Sequence, residues 1–199
     1  MTYFFPAAGK LLMPGDLLFQ TEGNSEFSEA ISSATASSDS VRFVHVAMVF
    51  EITDSCTYIL EADPQEGVRK TTLDEFTAHS PEYNGKPGVV IMRLEEDFQI
   101  GETLRRAESF IGQPYDWWYL PDNGKIYCSE LIYESYINNE GNRIFEAAPM
   151  NFRAPDGSMP EFWIKIYDEL GVAVPEGLPG TNPNDLSKHP HLRIIESPF

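Results

Sequence analysis

The stretch Val41–Asp63, VRFVHVAMVFEITDSCTYILEAD, decides the fold. Its first half is β-branched, aromatic or aliphatic almost throughout, the composition of a buried strand. A short polar turn, TDS, leads into a second apolar run, CTYILEAD. Two such runs joined so closely predict an antiparallel hairpin. Alternation puts Val44, Val46 and Met48 on one face of the first strand and His45, Ala47 and Val49 on the other. Ile59 and Glu61 share a face of the second strand. Opposed residues in an antiparallel pair have Cβ atoms about 5 Å apart. A carboxylate there can fix the imidazole tautomer and stabilise the imidazolium. Glu61 is the expected partner of His45, and Asp63, of the same parity, is its rival. The plain alternatives are a satisfied core histidine and a surface charge.

Upstream, GDLLF gives a short strand at Leu17–Phe19, with Gln20 just beyond it. Phe27, Ala30, Ile31 and Ala34 are spaced like one helical face, and the Ser-rich run from Ser32 to Ser40 reads as a loop rimming the site or merely solvated. Downstream, GVRK is a third strand leading into a short helix. Thr72 supplies its N-cap and Glu75 stands at the capping-box position. GVVIMRL is a fourth strand. IGETLRRAESFIG reads as a helix ended by Gly112. SMPEFWIKIYDELG reads as another, with Ser158 as cap and Gly171 as terminator. The rest, from about residue 172 to 199, is dense in Pro, Gly and Asn and reads as a tail. Strands and segregated helices predict an α+β fold, an antiparallel sheet with helices packed on it. The length of 199 residues suits a single domain.

Composition narrows the function classes. A formal net charge of -17 opposes contact with phosphate backbones, so nucleic acid is not an expected partner. No run reaches the roughly 18 apolar residues of a membrane span, so stable membrane insertion is not expected. The first ten residues, MTYFFPAAGK, lack the basic and long apolar regions of a signal peptide. The chain is therefore expected in the cytoplasm, with a processed exported form as the alternative. Two cysteines do not make a disulfide framework.

One of those cysteines, Cys128, opens the apolar helical run CSELIYESY. Unpaired N–H groups and the macrodipole at a helix start favour thiolate, the attacking form of cysteine. The Cys128 N–H is also suited to an oxyanion hole. Of the four histidines, only His45 lies in a strand; His79, His189 and His191 fall in loop-like segments. Tyr127 precedes the thiol, and Tyr115, Trp117, Trp118 and Tyr119 crowd the loop before it. These aromatics line a substrate cleft or form a satellite core. Gln20 is a candidate oxyanion donor. Cys56 falls in the predicted hairpin turn and reads as incidental.

The ordered set PGDLLF, FVHVAMV, YILEADPQEGV, IGQPYDWWY and YCSELIYESY resembles the YiiX-like branch of the NlpC/P60 superfamily, permuted papain-like cysteine hydrolases. The segment PGTNPNDLSKHPHL resembles the end of such chains. The likeness runs from about Pro14 to Leu192, and the order His45, Glu61, Cys128 is the one a permuted chain requires. It implies Cys128 as nucleophile, His45 as base and Glu61 as orienter, with Asp63 not eliminated, and no metal or organic cofactor. It implies a small peptide-like or acyl substrate, with amide cleavage first. The rivals are lipid-directed acyl transfer, as in the lecithin:retinol acyltransferase group, and a binding module on the same fold. Oligomeric state stays open.

Overall fold

The structure, a computed structural model, describes residues 12–23, 26–35, 41–83, 85–95 and 98–199, with the side chain of Phe27 outside that description. In chain order, the elements are β1 (Leu17–Thr21), α1 (Glu26–Ala34), β2 (Phe43–Ile52), β3 (Thr57–Asp63), β4 (Gly67–Thr72) and α2 (Leu73–Ala78). A two-residue pair follows, β5 (Glu82–Tyr83) and β6 (Lys86–Pro87), then β7 (Val89–Leu94) and α3 (Ile100–Ser109). The second half holds α4 (Cys128–Ser135), β8 (Ala148–Pro149), α5 (Glu161–Leu170), β9 (Pro179–Gly180), α6 (Pro183–Ser187) and β10 (Leu192–Glu196).

Six strands form one antiparallel sheet in the order β10-β7-β1-β2-β3-β4. Together with the helices it makes the α+β fold expected from the pattern. The hairpin supplies the sheet's interior, and its alternation is what the sequence shows. Val46, Met48, Leu60 and Ala62 join Leu131 and Ile132 of α4 in the main core. Ala47, Val49 and Ile59 join Leu73 and Phe76 of α2 on the other face. Both faces of β2 are covered, which is why the strand carries so few polar residues.

The hairpin is not regular. Val49 pairs with Ile59 but Glu51 pairs with Tyr58, so Phe50 is the extra residue of a bulge. This one residue decides which side of the sheet meets which. Continued without it, the Ile52–Thr57 register would set His45 on the same face as Ala62 and Leu60. The bulge slips the pairing by one, and a slip of one exchanges the faces. Glu61 thereby comes to the side of His45.

Glycine matters most at the β3–β4 turn. Gly67 has φ +76°, and a Cβ there would overlap the Gln113 carbonyl. The close approach lets Val68 N donate to Gln113 O at 2.8 Å and Gly112 N to Val68 O at 2.9 Å. The turn itself is closed by Asp63, whose Oδ1 accepts from Gln65 N and Glu66 N.

Several local expectations hold and others change. Thr72 caps α2, its hydroxyl accepting from Glu75 N at 3.1 Å. Gly171 ends α5 in the left-handed region. Ser158 does not cap α5. Pro160 occupies the N-cap position, and the Ser158 hydroxyl is turned to Asp156. Ser32 and Ser33 belong to α1, not to a loop, and residues 36–40 of the Ser-rich run lie outside the described residues. The segment read as a tail is folded in. It contributes β9, α6 and the sheet strand β10. Pro183 starts α6 at a position where its missing N–H costs nothing. No helix among the described residues is long and apolar enough to cross a membrane.

Candidate active site

His45 stands at the irregular end of β2. Gln20 pairs with His45 and Thr21 with Phe43, which leaves Val44 as an extra residue directly before the histidine. Bulges of this kind re-aim side chains. The imidazole is 12% exposed and lies against Phe76, ring centroids 5.8 Å apart. Its Nε2 is 2.9 Å from Glu61 Oε2. A carboxylate accepts only, so Nε2 carries a proton and Nδ1 is the nitrogen left to exchange one.

Glu61 is itself held from behind. Arg69, directly opposite it on β4, donates from Nε to Oε1 at 3.1 Å, and Nη2 lies 2.9 Å from the same oxygen. The remaining guanidinium nitrogen, Nη1, lies 3.1 Å from Glu75 and 3.2 Å from Glu66. Glu61 is 4% exposed. Burial alone would raise its pKa, but the hydrogen bond and charge of His45, then the charge and hydrogen bond of Arg69, hold it below the ordinary carboxylate range. Burial likewise opposes charge on His45. The hydrogen bonds of Cys128 and Glu61 outweigh it and push the imidazole up to about 10. The ring therefore stays cationic at neutral pH, between a carboxylate at Nε2 and the thiol.

Cys128 is the first residue of α4, preceded by Tyr127 in extended conformation, and is 3% exposed. Leu131 N bonds Tyr127 O, the first rung of the helix. The N–H of Cys128 itself precedes that rung and belongs to the helix's electropositive end. Glu130, in the same first turn, accepts from Tyr127 N at 3.3 Å. Burial pushes its carboxyl up to about 8, and Asp116 and Glu134 add to the rise. The C-terminal segment secures the helix start. Thr181 N donates to Tyr127 Oη at 3.1 Å and Thr181 Oγ1 to Ser129 Oγ at 3.1 Å. Asn184 grips the beginning of β2, accepting from Phe43 N and donating to Phe43 O, both at 2.8 Å.

Two cavities flank the site. The larger, of about 430 Å³, is polar and is lined by Gln20, His45, Glu61, Arg69 and Glu75 among others. The smaller, of about 60 Å³, is lined by Cys128 and a set of aromatic rings. Of the residues expected to contact substrate, Tyr115 and Tyr127 line the small cavity and Gln20 the large one. Trp117 and Trp118 line neither. Trp117 packs on Tyr115 at 5.0 Å, and Trp118 lies under the Lys125 ammonium at 3.5 Å. Gln20 Nε2 donates to Ser80 Oγ at 2.8 Å. Asp63 is engaged in its turn, with Arg69 Nη2 at 3.7 Å, so the carboxylate on the imidazole is Glu61. Cys56 lies between β2 and β3, partly exposed, its thiol turned to Thr57 O.

Tyr119, one of the aromatics expected at the cleft, lines the small cavity as well, whereas the sequence reading missed Arg69, Phe152, Trp163 and Thr181. Arg69 was accessible to the same parity count that paired His45 with Glu61, carried one strand further across the Asp63–Gly67 turn. The others come from segments distant in sequence, and no periodicity announces them.

The YiiX protein of Escherichia coli (strain K12) is 27% identical over 184 residues, spanning 91% of this chain and 84% of its own length. The crystal structure of the metalloprotein yiiX from Escherichia coli O157:H7 superposes with a TM-score of 0.69 at 26% identity, covering 92% of this chain and 96% of that one. A sequence profile for the permuted papain-like amidase enzymes matches residues 11–196. A chain matched over nearly its whole length, with a six-stranded antiparallel sheet carrying histidine and carboxylate and a helix opening on cysteine, belongs to the permuted papain-like amidase family YaeF/YiiX, C92.

Proposed function

We propose that this chain is a cysteine amidase that cleaves a peptide-like amide through a thioester on Cys128. The sulfur attacks the amide carbonyl carbon while the negative charge moves to the carbonyl oxygen, beside the Cys128 N–H at the start of α4. Collapse breaks the C–N bond, and the protonated His45 gives its Nδ1 proton to the departing amine. Water then adds to the thioester carbonyl, losing a proton to His45. The C–S bond breaks, the acid leaves and the imidazolium–thiolate pair is restored. Glu61 holds the ring throughout with its Nε2 hydrogen bond. A substrate oxygen taken up by Gln20 would use the amide hydrogen not given to Ser80.

The observation that carries this reading is the imidazole held between Glu61, at 2.9 Å, and the Cys128 thiol, whose hydrogen bonds raise its pKa against the effect of burial. A fold retained only for binding has no use for a buried cation aimed at a thiol. Among the described residues no group of three or more His, Cys, Asp or Glu side chains is placed to hold a metal ion.

Limiting iodoacetamide followed by peptide mass mapping tests the reading. Cys128 should be modified before Cys56, although Cys128 is buried and Cys56 is partly exposed. Preferential loss of Cys56, with Cys128 reacting only on unfolding, would end the hydrolase reading and favour the binding module.

A further inference from the structure

The two cavities divide the labour of an acyl transfer unequally. In the amidase reading, on which this inference rests, the acyl group stays on sulfur and must lie beside Cys128. The amine takes its proton from His45 and must depart on that side. The space at Cys128 is about 60 Å³, while that at His45 is about 430 Å³. One water-sized group needs roughly 10 to 15 Å³ on this measure, so the thiol side has room for about four to six.

The walls of the small space are not of a kind that yields. Tyr119 sits with its ring 4.8 Å from Tyr127, 5.7 Å from Trp163 and 5.8 Å from Phe152. Phe152 and Trp163 meet edge to face at 5.2 Å. Displacing one ring disturbs the others, and close-packed interiors resist that. Tyr119 also holds φ 52°, a left-handed conformation that costs a bulky residue about 1 to 3 kcal/mol and persists where the surroundings enforce it. The sequence thus maintains a strained tyrosine in order to fill space next to the thiol. The larger cavity has no such packing and is rimmed by Asp63, Glu66, Gln65 and His79.

We propose that the acyl half of the substrate is short, of up to about four carbons, and that the bulk of the molecule lies on the polar amine side. The geometry makes this chain selective for removing a small acyl group from a large polar amine, and a poor acceptor of long fatty acyl chains.

A series of 4-nitrophenyl esters tests this, because the leaving group is constant and only the acyl chain varies. Thiolate attack forms the C–S bond, the C–O bond breaks and nitrophenolate leaves, so the colour and the added mass on Cys128 report one step. Acetyl and propionyl esters should acylate Cys128 about a hundredfold faster than hexanoyl, by the usual discrimination of a filled pocket. Dodecanoyl transfer at the acetyl rate would overturn the proposal and leave the amidase reading intact. Failure of every ester to acylate Cys128 would remove the amidase reading, and this proposal with it. Two variants of the wall separate pocket size from intrinsic ester reactivity. Met150→Ala should raise the hexanoyl-to-acetyl ratio by about tenfold, and Ala34→Leu should lower the propionyl-to-acetyl ratio by a similar factor. Ratios unmoved in both variants would also overturn it.

Discussion

Glu61 Oε2 lies 2.9 Å from His45 Nε2 even though the β2–β3 pairing, which ends at Met48–Leu60, would if continued by one and by three residues set Glu61 opposite Ala47 and Asp63 opposite His45. The contact is diagonal across the hairpin, where neighbours stand about 7 to 8 Å apart and only a long side chain reaches. The directly opposed Asp63 is shorter and is spent on its own turn. Length, more than charge, has chosen the partner of the imidazole.

Glu61→Asp should therefore fail as a replacement. It keeps the charge but loses the methylene that spans the diagonal. Its kcat/KM on an activated ester or amide should fall about as far as that of Glu61→Ala, on the order of a thousandfold or more. Asp63→Ala should stay within about threefold of the parent in kcat/KM and lose about 1 kcal/mol in urea unfolding, the cost of a turn hydrogen bond. An active Glu61→Asp enzyme would show the diagonal contact to be dispensable.

Arg69 positions and charges Glu61. Without the guanidinium, the carboxyl loses two favourable contributions and its pKa rises. For Arg69→Ala, the acid limb of the kcat/KM profile should move to higher pH while the alkaline limb is not lowered. A merely structural loss would lower the whole profile without moving its limbs. Arg69→Lys should not restore the parent profile, because a point charge cannot reproduce the paired Nε and Nη2 contacts.

The buried cation makes stability depend on pH in a defined window. A group whose folded pKa is raised contributes below its unfolded value, near 6.5, and the contribution is lost as pH climbs through about 10. The stability difference between the parent and His45→Gln should shrink by a few kcal/mol between those limits in urea titrations. In Cys128→Ala the upper edge of the window should fall, since the thiol is one of the two groups raising the imidazole. Glu61 acts in the opposite direction, its contribution lost as pH drops below the carboxylate range.

Glu130 adds a second alkaline loss for a different reason. Its carboxyl is pushed up to about 8, so ionising it in the folded chain is unfavourable. Between its ordinary range and pH 8 the folded state binds the extra proton, and stability declines as pH rises. Glu130→Gln keeps an acceptor for Tyr127 N and carries no charge. It should match the parent near pH 4.5 and exceed it by a few kcal/mol at pH 8.5 in thermal or urea unfolding.

Much of this site is legible in the sequence because a strand's period is two. That period separates Val46 and Met48 from His45, and it flags an imidazole and a carboxylate in apolar runs. A helix start before an apolar run marks Cys128 by the same kind of rule. Register is another matter. The Phe50 bulge carries no glycine to betray it, yet it alone brings the face of Glu61 to that of His45. The aromatic wall is legible only in its near half, Tyr115, Tyr119 and Tyr127. Tyr119, Phe152 and Trp163 come from three segments and meet only in the folded chain. The segment after Gly171 looked loose because Pro, Gly and Asn dominate it, but Asn184 and Thr181 are side chains in demand elsewhere in the fold.

Those two late residues have a consequence for how the enzyme is made. Thr181 ties the first turn of the thiol's helix, and Asn184 holds both backbone groups of Phe43, two residues before the imidazole. A ribosome delivers these clamps last, at roughly 5 to 20 residues per second. His45, Glu61 and Cys128 have all been synthesised by then, and β2 can already pair with β1 and β3. The nascent polypeptide thus carries all three side chains some seconds before it carries the two clamps that tie their elements to the C-terminal segment.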